Sequence, residues 1–378
     1  MRRERQESRP DYREKIEKLG LSFHTVDELP YWNETAAYQF ERDEIDTLEA
    51  ATNTLHELCL AAVEQVIKNQ EFGRLGIPKQ AWPVITKAWN DDPPAIYGRF
   101  DLVFDGDSPP KLLEYNADTP TSLLEAAVIQ WYWLQETYPE RDQFNSIWEG
   151  LVIKWRALKG EGFMPSNLVH FACVDFPEDL MTTAVLMDTA HEAGLEVQLN
   201  WMQEVGWNED TKSFVDPEQR VIETLFKLYP WEVMISEEFG PFALQTYSKL
   251  NWIEPIWKLV MANKGILAIL WEMFPDHPNL LPTFLDGPRT LESYVKKPFF
   301  GREGANVSLH GTNQDTAIGG EYEAGPYAYQ AYCPLPNFEG NHAIIGSWVI
   351  DSEARGIGIR ESDGPITQNL ARFVPHYF

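Results

Sequence analysis

Arg99-Phe100-Asp101-Leu102-Val103-Phe104, then Asp105-Gly106-Asp107-Ser108-Pro109-Pro110, then Lys111-Leu112-Leu113-Glu114-Tyr115-Asn116 reads as two short strands around a dense turn signal. Side chains alternate along a strand, so Arg99 shares a face with Asp101, and Glu114 with Asn116. A turn centred between residues 107 and 108 pairs 99 with 116 and 101 with 114. That register gathers the four polar side chains on one face and leaves Phe100, Leu102, Leu113 and Tyr115 on the other. A two-residue slip keeps the face, whereas a one-residue slip destroys it. Two carboxylates and an amide oxygen suit a hard cation such as Mg²⁺, which keeps waters and takes phosphate oxygens as further ligands. Arg99 beside them suits a transferring phosphoryl group. The competing reading is a solvated sheet face with a cross-strand salt bridge.

Upstream of the hairpin, Leu48, Ala51, Leu55, Leu58, Ala62, Val63 and Val66 recur at three- and four-residue spacing, which predicts an amphipathic helix over 44–68. Downstream, a helix is expected over 121–134. An apolar run over 168–174, a helix over 178–193 closed by Gly194 and a strand over 195–199 resemble one strand-helix-strand unit of an open α/β layer. Residues 206–220 read as a polar loop, Trp231-Glu232 as a turn or strand end, and 253–274 as one helical stretch that contains Asn263-Lys264. The last hundred residues return to strands over 293–297, 307–309, 327–333 and 342–351. Their glycine-bearing connection, Phe300-Gly301-Arg302-Glu303-Gly304, follows Lys296-Lys297-Pro298 and could let backbone N–H groups approach phosphates.

Composition narrows the classes. With 44% apolar and 24% charged residues the 378-residue chain is folded rather than disordered, and long enough for two to three lobes. Its net charge of −27 would repel a phosphate backbone, so nucleic acid is not an expected partner, while cationic ligands and divalent metals are compatible. Cys59, Cys173 and Cys333 are too few and too scattered for a disulfide framework or a cysteine zinc site, which suits a reducing compartment. No apolar run approaches a membrane span and no signal segment opens the chain, so a cytoplasmic protein is expected. No P-loop, GxSxG elbow or HExxH helix occurs, and Gly356-Ile357-Gly358-Ile359-Arg360-Glu361 lacks the third glycine of a dinucleotide fingerprint.

Four motifs in one order carry a resemblance: Arg99-Phe100-Asp101 with Leu113-Glu114-Tyr115-Asn116-Ala117-Asp118, Asn263-Lys264, the run from Leu270 to Leu281, and Val295-Lys296-Lys297-Pro298 with its glycine loop. Together they resemble the synthetase domain of the glutathionylspermidine synthase family over nearly the whole chain. The resemblance implies an α+β chain with an ATP-grasp fold, to which the strand-helix-strand unit adds a small α/β lobe. It also implies one ligase unit, and the texture of the sequence divides it into approximate lobes 1–165, 166–250 and 251–378. The implied activity joins a carboxylate to an amine with release of ADP and phosphate, through an acyl phosphate. The resemblance implies a peptide-like acid, of which glutathione is one, and an amine that could be a polyamine.

Residue by residue, the resemblance implies that Asp101, Glu114 and Asn116 hold Mg²⁺ and that Arg99 contacts the transferring phosphate. It implies that Lys264 and Lys297 hold ATP phosphates, that Gly301 and Gly304 belong to a loop over the nucleotide, and that the Gln330 strand lies beside the adenine. Arg360 corresponds to a late arginine near the reacting phosphate. Glu178, Asp179 and Glu232 could receive an amine. The family's bifunctional members carry an amidase domain before the synthetase, and Arg99 lies too near the start of this sequence to leave room for one, so a stand-alone synthetase is expected. Two other classes remain open at this point: a catalytically silent nucleotide-binding regulatory protein, and an acidic polyamine-binding protein without nucleotide chemistry.

Overall fold

The computed structural model describes residues 1–26, 28–301, 304–311, 315–320, 325–367 and 371–378. Arg302 and Glu303 of the expected glycine loop therefore lie outside the described residues. Among the described residues no helix is long and apolar enough to cross a membrane.

The hairpin forms from strands Tyr97–Val103 and Lys111–Asn116, with Arg99 opposite Asn116 and Asp101 opposite Glu114, as the polar pattern predicts. The register then shifts between Asp101 and Leu102, so that Leu102 faces Leu112 and Val103 faces Lys111. This irregularity corrects one expectation. Leu112 is buried in the core with Phe100, Leu102 and Tyr115, whereas Leu113 lines the cleft with the polar residues.

Tyr97–Val103 continues into a six-stranded antiparallel sheet by pairing with Asn341–Ile350, which pairs in turn with Glu353–Ser362 and, beyond it, Arg372–Val374. The hairpin thus shares one sheet with strands some 250 residues away in the chain. The apolar back of that sheet is covered by the helix Arg42–Lys68, which buries Leu48, Leu55, Val63 and Val66 completely. Burial of each such side chain contributes about 1.5–3 kcal/mol. Three polar contacts among the described residues fix the helix on the sheet: Thr52 Oγ1 meets Ser347 Oγ at 2.6 Å, His56 Nδ1 meets the Tyr115 hydroxyl at 3.0 Å, and Asn53 Oδ1 accepts the Ala354 N–H at 2.8 Å.

A second, five-stranded antiparallel sheet has the order Thr283–Phe284, Tyr327–Ala331, Tyr294–Pro298, Ser308–His310, Thr316–Ala317. A third is parallel: Asn251–Ile253, Thr224–Leu228, Leu168–Cys173, Glu196–Trp201. The helix Pro177–Glu192 makes its crossover between the last two, and Gly194 at φ +86° ends that helix. Here the expected strand-helix-strand unit is present. Strands Arg2–Arg5, Ala36–Gln39 and His376–Tyr377 form a small sheet that brings the two ends of the sequence together.

Several local expectations are revised. Residues 206–220 contain a short hairpin, Gly206–Asn208 with Ser213–Val215, rather than loop alone. Trp231 opens a one-turn helix, Trp231–Met234. The stretch 253–274 is divided into the strand Asn251–Ile253 and two helices, Lys258–Met261 and Ile266–Met273. The break falls at Asn263, whose Nδ2 donates to Leu75 O at 2.8 Å and whose Oδ1 accepts the Gly265 N–H at 2.8 Å. An asparagine side chain that satisfies backbone groups in this way competes with the helix ladder. Over 121–134 the helix begins only after Ser122 and carries a π turn at Glu125–Ile129 before Gln130–Thr137.

Candidate active site

The three larger sheets converge on a cleft of about 450 Å³. All ten residues expected at the site from the sequence line it: Arg99, Asp101, Glu114, Asn116, Lys264, Lys297, Gly301, Gly304, Gln330 and Arg360. They come from the hairpin, from the break between two helices, from the five-stranded sheet and from Glu353–Ser362. The described residues around the cleft also include Glu178, Asp179 and Glu232 from the parallel-sheet side.

The hairpin face is an alternation of charges. Asp101 lies between two guanidiniums: Arg99 Nε donates to its Oδ1 at 2.9 Å, and Arg360 Nη2 to its Oδ2 at 3.1 Å. Arg99 also donates from Nη1 to the Thr121 carbonyl at 2.7 Å, and its guanidinium lies over the Trp348 ring at 5.7 Å. Burial disfavours the charged guanidinium, but the Asp101 and Glu114 carboxylates outweigh it and hold Arg99 above its ordinary pKa. Gly346, opposite Asp101 on the neighbouring strand, makes room for that side chain, because a Cβ there would sit 2.9 Å from Arg99 Cδ.

Glu114 is the other carboxylate. Its Oε2 lies 3.2 Å from Lys264 Nζ, and its Oε1 accepts from Asn116 Nδ2 at 3.2 Å. Burial pushes the Glu114 carboxyl up, yet the Lys264 and Lys297 ammoniums together with these hydrogen bonds hold it at about 2. Lys264 Nζ also donates to Gly301 O at 2.6 Å, which ties the helix break to the start of the glycine loop. Gly304, at φ +73°, has a backbone that L side chains adopt only with strain.

Lys297 is 6% exposed and donates only to neutral groups among the described residues: Leu113 O at 2.9 Å and Gln330 Oε1 at 2.7 Å. Burial pushes its ammonium down to about 8, against the pull of Glu114 and Asp101. Gln330 uses the other end of its amide to donate to Leu112 O at 3.0 Å. Its side chain is therefore a bridge that orients Lys297 on the hairpin.

Four cations stand against two carboxylates at this end of the cleft, in a chain of net charge −27. A buried ammonium held by neutral acceptors and a surplus of positive charge fit the phosphates of ATP. Among the described residues no three His, Cys, Asp or Glu side chains cluster into a metal site of their own. The hairpin supplies two carboxylates and an amide oxygen on one face, an oxygen donor set that fits Mg²⁺ when waters and phosphate oxygens complete the shell.

Sequence reasoning missed what supports these groups. Asp118 is 3% exposed; its Oδ1 accepts from Lys227 Nζ at 2.7 Å and its Oδ2 from the Trp231 N–H at 2.9 Å. Lys227 is wholly buried and also lies over the Trp231 ring. This pair joins the end of the hairpin to the parallel sheet. A lone lysine within Thr224-Leu225-Phe226-Lys227-Leu228 was the available signal, since a charge in a buried strand calls for a partner. Thr121 adds a second link, with Oγ1 donating to Glu178 Oε1 at 2.5 Å.

Comparison with known proteins gives the family. Residues 3–378 match the family model described as glutathionylspermidine synthase preATP-grasp. A Haemophilus influenzae protein provisionally called an acid–amine ligase is 39% identical over 388 residues, covering 98% of each chain. Trypanothione synthetase of Crithidia fasciculata is 30% identical over 83% of this chain and 52% of its own. The bifunctional glutathionylspermidine synthetase/amidase of Escherichia coli is 26% identical over 93% and 60%. The chain thus spans about half the length of the trypanothione synthetase and three-fifths of the bifunctional enzyme. Among solved structures, a glutathione synthetase-like effector from Globodera pallida superposes with a TM-score of 0.57 over 98% of both chains at 12% identity, a likeness of fold alone. The α+β architecture is of the ATP-grasp type. The chain belongs to the glutathionylspermidine synthase family and is, with it, an ADP-forming C–N ligase.

Proposed function

We propose that the cleft activates a peptide-like carboxylate and joins it to an amine, with glutathione and a polyamine as the first pair to be tried. The observation that carries this reading is the charge arrangement: a cationic end at Arg99, Arg360, Lys264 and Lys297, and acids at Glu178, Asp179 and Glu232 on the parallel-sheet side of one cleft. A carboxylate is a poor acyl donor because its leaving group is oxide. ATP, when bound with Mg²⁺, supplies the phosphoryl group that converts the acid into an acyl phosphate. Asp101, Glu114 and Asn116 would hold the metal, and Lys264, Lys297 and the backbone near Gly301 and Gly304 would hold the phosphates, with Gln330 fixing Lys297.

Arg99 and Arg360 neutralise charge that develops on the acid, and Asp101 holds both guanidiniums in place for this. The acids across the cleft attract the ammonium form of the amine, which must give up a proton before its nitrogen attacks the acyl carbon and displaces inorganic phosphate. No protein nucleophile is required. The work of the chain is orientation and charge neutralisation. A phosphate-release screen of peptides with free C-terminal carboxylates against a panel of amines tests this reading. Phosphate should appear only when ATP, Mg²⁺, acid and amine are all present. Tight MgATP binding without phosphate release for any pair would instead favour a silent nucleotide-binding protein.

A further inference from the structure

The acidic side of the main cleft is built on a switch point of the parallel sheet. Leu168–Cys173 and Thr224–Leu228 are neighbours, and from them the chain passes to opposite sides, to Glu196–Trp201 and to Asn251–Ile253. Open α/β sheets bind ligands beyond the carboxyl ends of the strands at such a point. Val174, Phe176, Glu178 and Asp179 follow one of these ends and Glu232 the other, and all five line the cleft. Four of them are accounted for as wall or as acids. Phe176 is not.

Neither local structure nor packing explains this residue. Phe176 is the N-cap of the helix Pro177–Glu192: its carbonyl accepts the Leu180 N–H at 3.0 Å, but its side chain has no group with which to cap the first turn. Ser, Thr, Asp and Asn are the residues that stabilise this position. The ring is 50% exposed and belongs to none of the apolar clusters of the core. Of the large apolar side chains that stand exposed among the described residues, it alone lines the main cleft. A residue that breaks the local rules is expected where function requires it. An aromatic face attracts a cation, and here the carboxylates of Glu178 and Asp179, two and three residues further on, already draw cations to the same side of the cleft. The nitrogen that attacks the acyl phosphate must be neutral when it reacts. Only an amine with a second nitrogen therefore still carries a charge for the ring to hold.

We propose that Phe176 is a specificity-determining residue whose ring holds a second ammonium group of the amine substrate, so that the cleft prefers a diamine or polyamine to a monoamine. The inference rests on the ligase reading and assigns a residue to the choice of its amine. It is tested on the full chain by calorimetric titration of 1,5-diaminopentane and n-pentylamine in the presence of a non-hydrolysable MgATP analogue. The two probes share a five-carbon chain and differ in the distal nitrogen. The wild-type protein should bind the diamine more tightly. Phe176→Leu keeps an apolar side chain but loses the aromatic face, and should lower that preference by at least about twofold. The loss should persist at about 0.5 M salt, where the long-range attraction of the carboxylates is screened. Phe176→Ser should lower the preference as well, while raising the melting temperature, because it supplies the missing cap. A merely structural role would move stability and leave the ratio of the two affinities alone. A diamine preference in Phe176→Leu less than twofold below that of the wild type, or no diamine preference in the wild type, would overturn the assignment. The ligase reading fails separately, through absence of phosphate release with every acid–amine pair even where the Phe176 effect holds.

Discussion

At the scale of single residues the site is a balance between burial and charge, and substitutions that change charge without changing volume probe it. Asp101→Asn and Glu114→Gln remove a charge from the oxygen face that would hold Mg²⁺ and open no cavity. Each should weaken Mg²⁺-dependent ATP binding by tenfold or more, roughly 1.4 kcal/mol or above, in a protein that still folds but melts lower, since Asp101→Asn takes the buried anion from Arg99 and Arg360 and Glu114→Gln takes it from Lys264. Unaltered MgATP affinity in both variants would remove the hairpin from the site. Lys297 offers a test by pH. Its ammonium is pushed down to about 8 by burial, so the free protein loses this charge as pH rises through that value, and MgATP affinity should fall by at most about tenfold per pH unit above it. Stability moves the other way. Lys297 releases its proton at lower pH folded than unfolded, so the unfolded chain binds more protons between about 8 and the ordinary lysine value, and folding is favoured as pH rises across that window. Lys297→Arg, which stays charged, should flatten the binding profile between pH 7 and 9.5. A wild-type profile already flat over that range would show either that Lys297 keeps its charge there or that it does not contact the nucleotide. Lys297→Met, which removes the charge at every pH, separates the two: unchanged MgATP affinity in that variant takes Lys297 off the nucleotide.

At the scale of elements, the hairpin was legible because its polar residues obey the period of a strand and its turn is marked by Gly106, Pro109 and Pro110. The register shift beyond Asp101 was not, because nothing in the strand composition marks a bulge, and so Leu113 was placed on the wrong face. The helix Arg42–Lys68 was legible from one uninterrupted apolar stripe. The stretch 253–274 was read as a single helix because its break depends on Asn263 reaching Leu75, a contact between residues far apart in sequence. The same limit hid the Asp118–Lys227 pair, in which neither residue announces the other. That pair should behave as a buried strut between the hairpin and the parallel sheet. Lys227→Met leaves a buried carboxylate short of its cation, and Asp118→Asn leaves a buried ammonium without its anion, so each should cost about 3–5 kcal/mol in urea unfolding. The double variant should lose less than the sum of the two, with a coupling on the order of 0.5–3 kcal/mol. Strict additivity would mean that the two elements are held together by their apolar contacts alone.

At the scale of the whole molecule, the local and the long-range fields have opposite signs at the nucleotide end of the cleft. Close in, four cations face two carboxylates; from a distance, an approaching ligand meets a chain of net charge −27. Composition alone made the second field legible, whereas the first required strands and helices from three regions of the sequence to be placed around one space. Salt separates the two, because the Debye length is about 10 Å at 0.1 M and the long-range part is screened first. MgATP, an anion, is repelled during its approach and attracted only on arrival, so its association rate should rise as ionic strength increases from about 0.01 to 0.1 M. A cationic amine is attracted at every distance, so its association should slow over the same range. Stopped-flow measurement of both ligands on the same protein gives the two signs directly. If both rates fell with added salt, encounter with the nucleotide would be governed by the cationic end of the cleft and not by the net charge, and the acidity of this chain would have no part in choosing between its substrates.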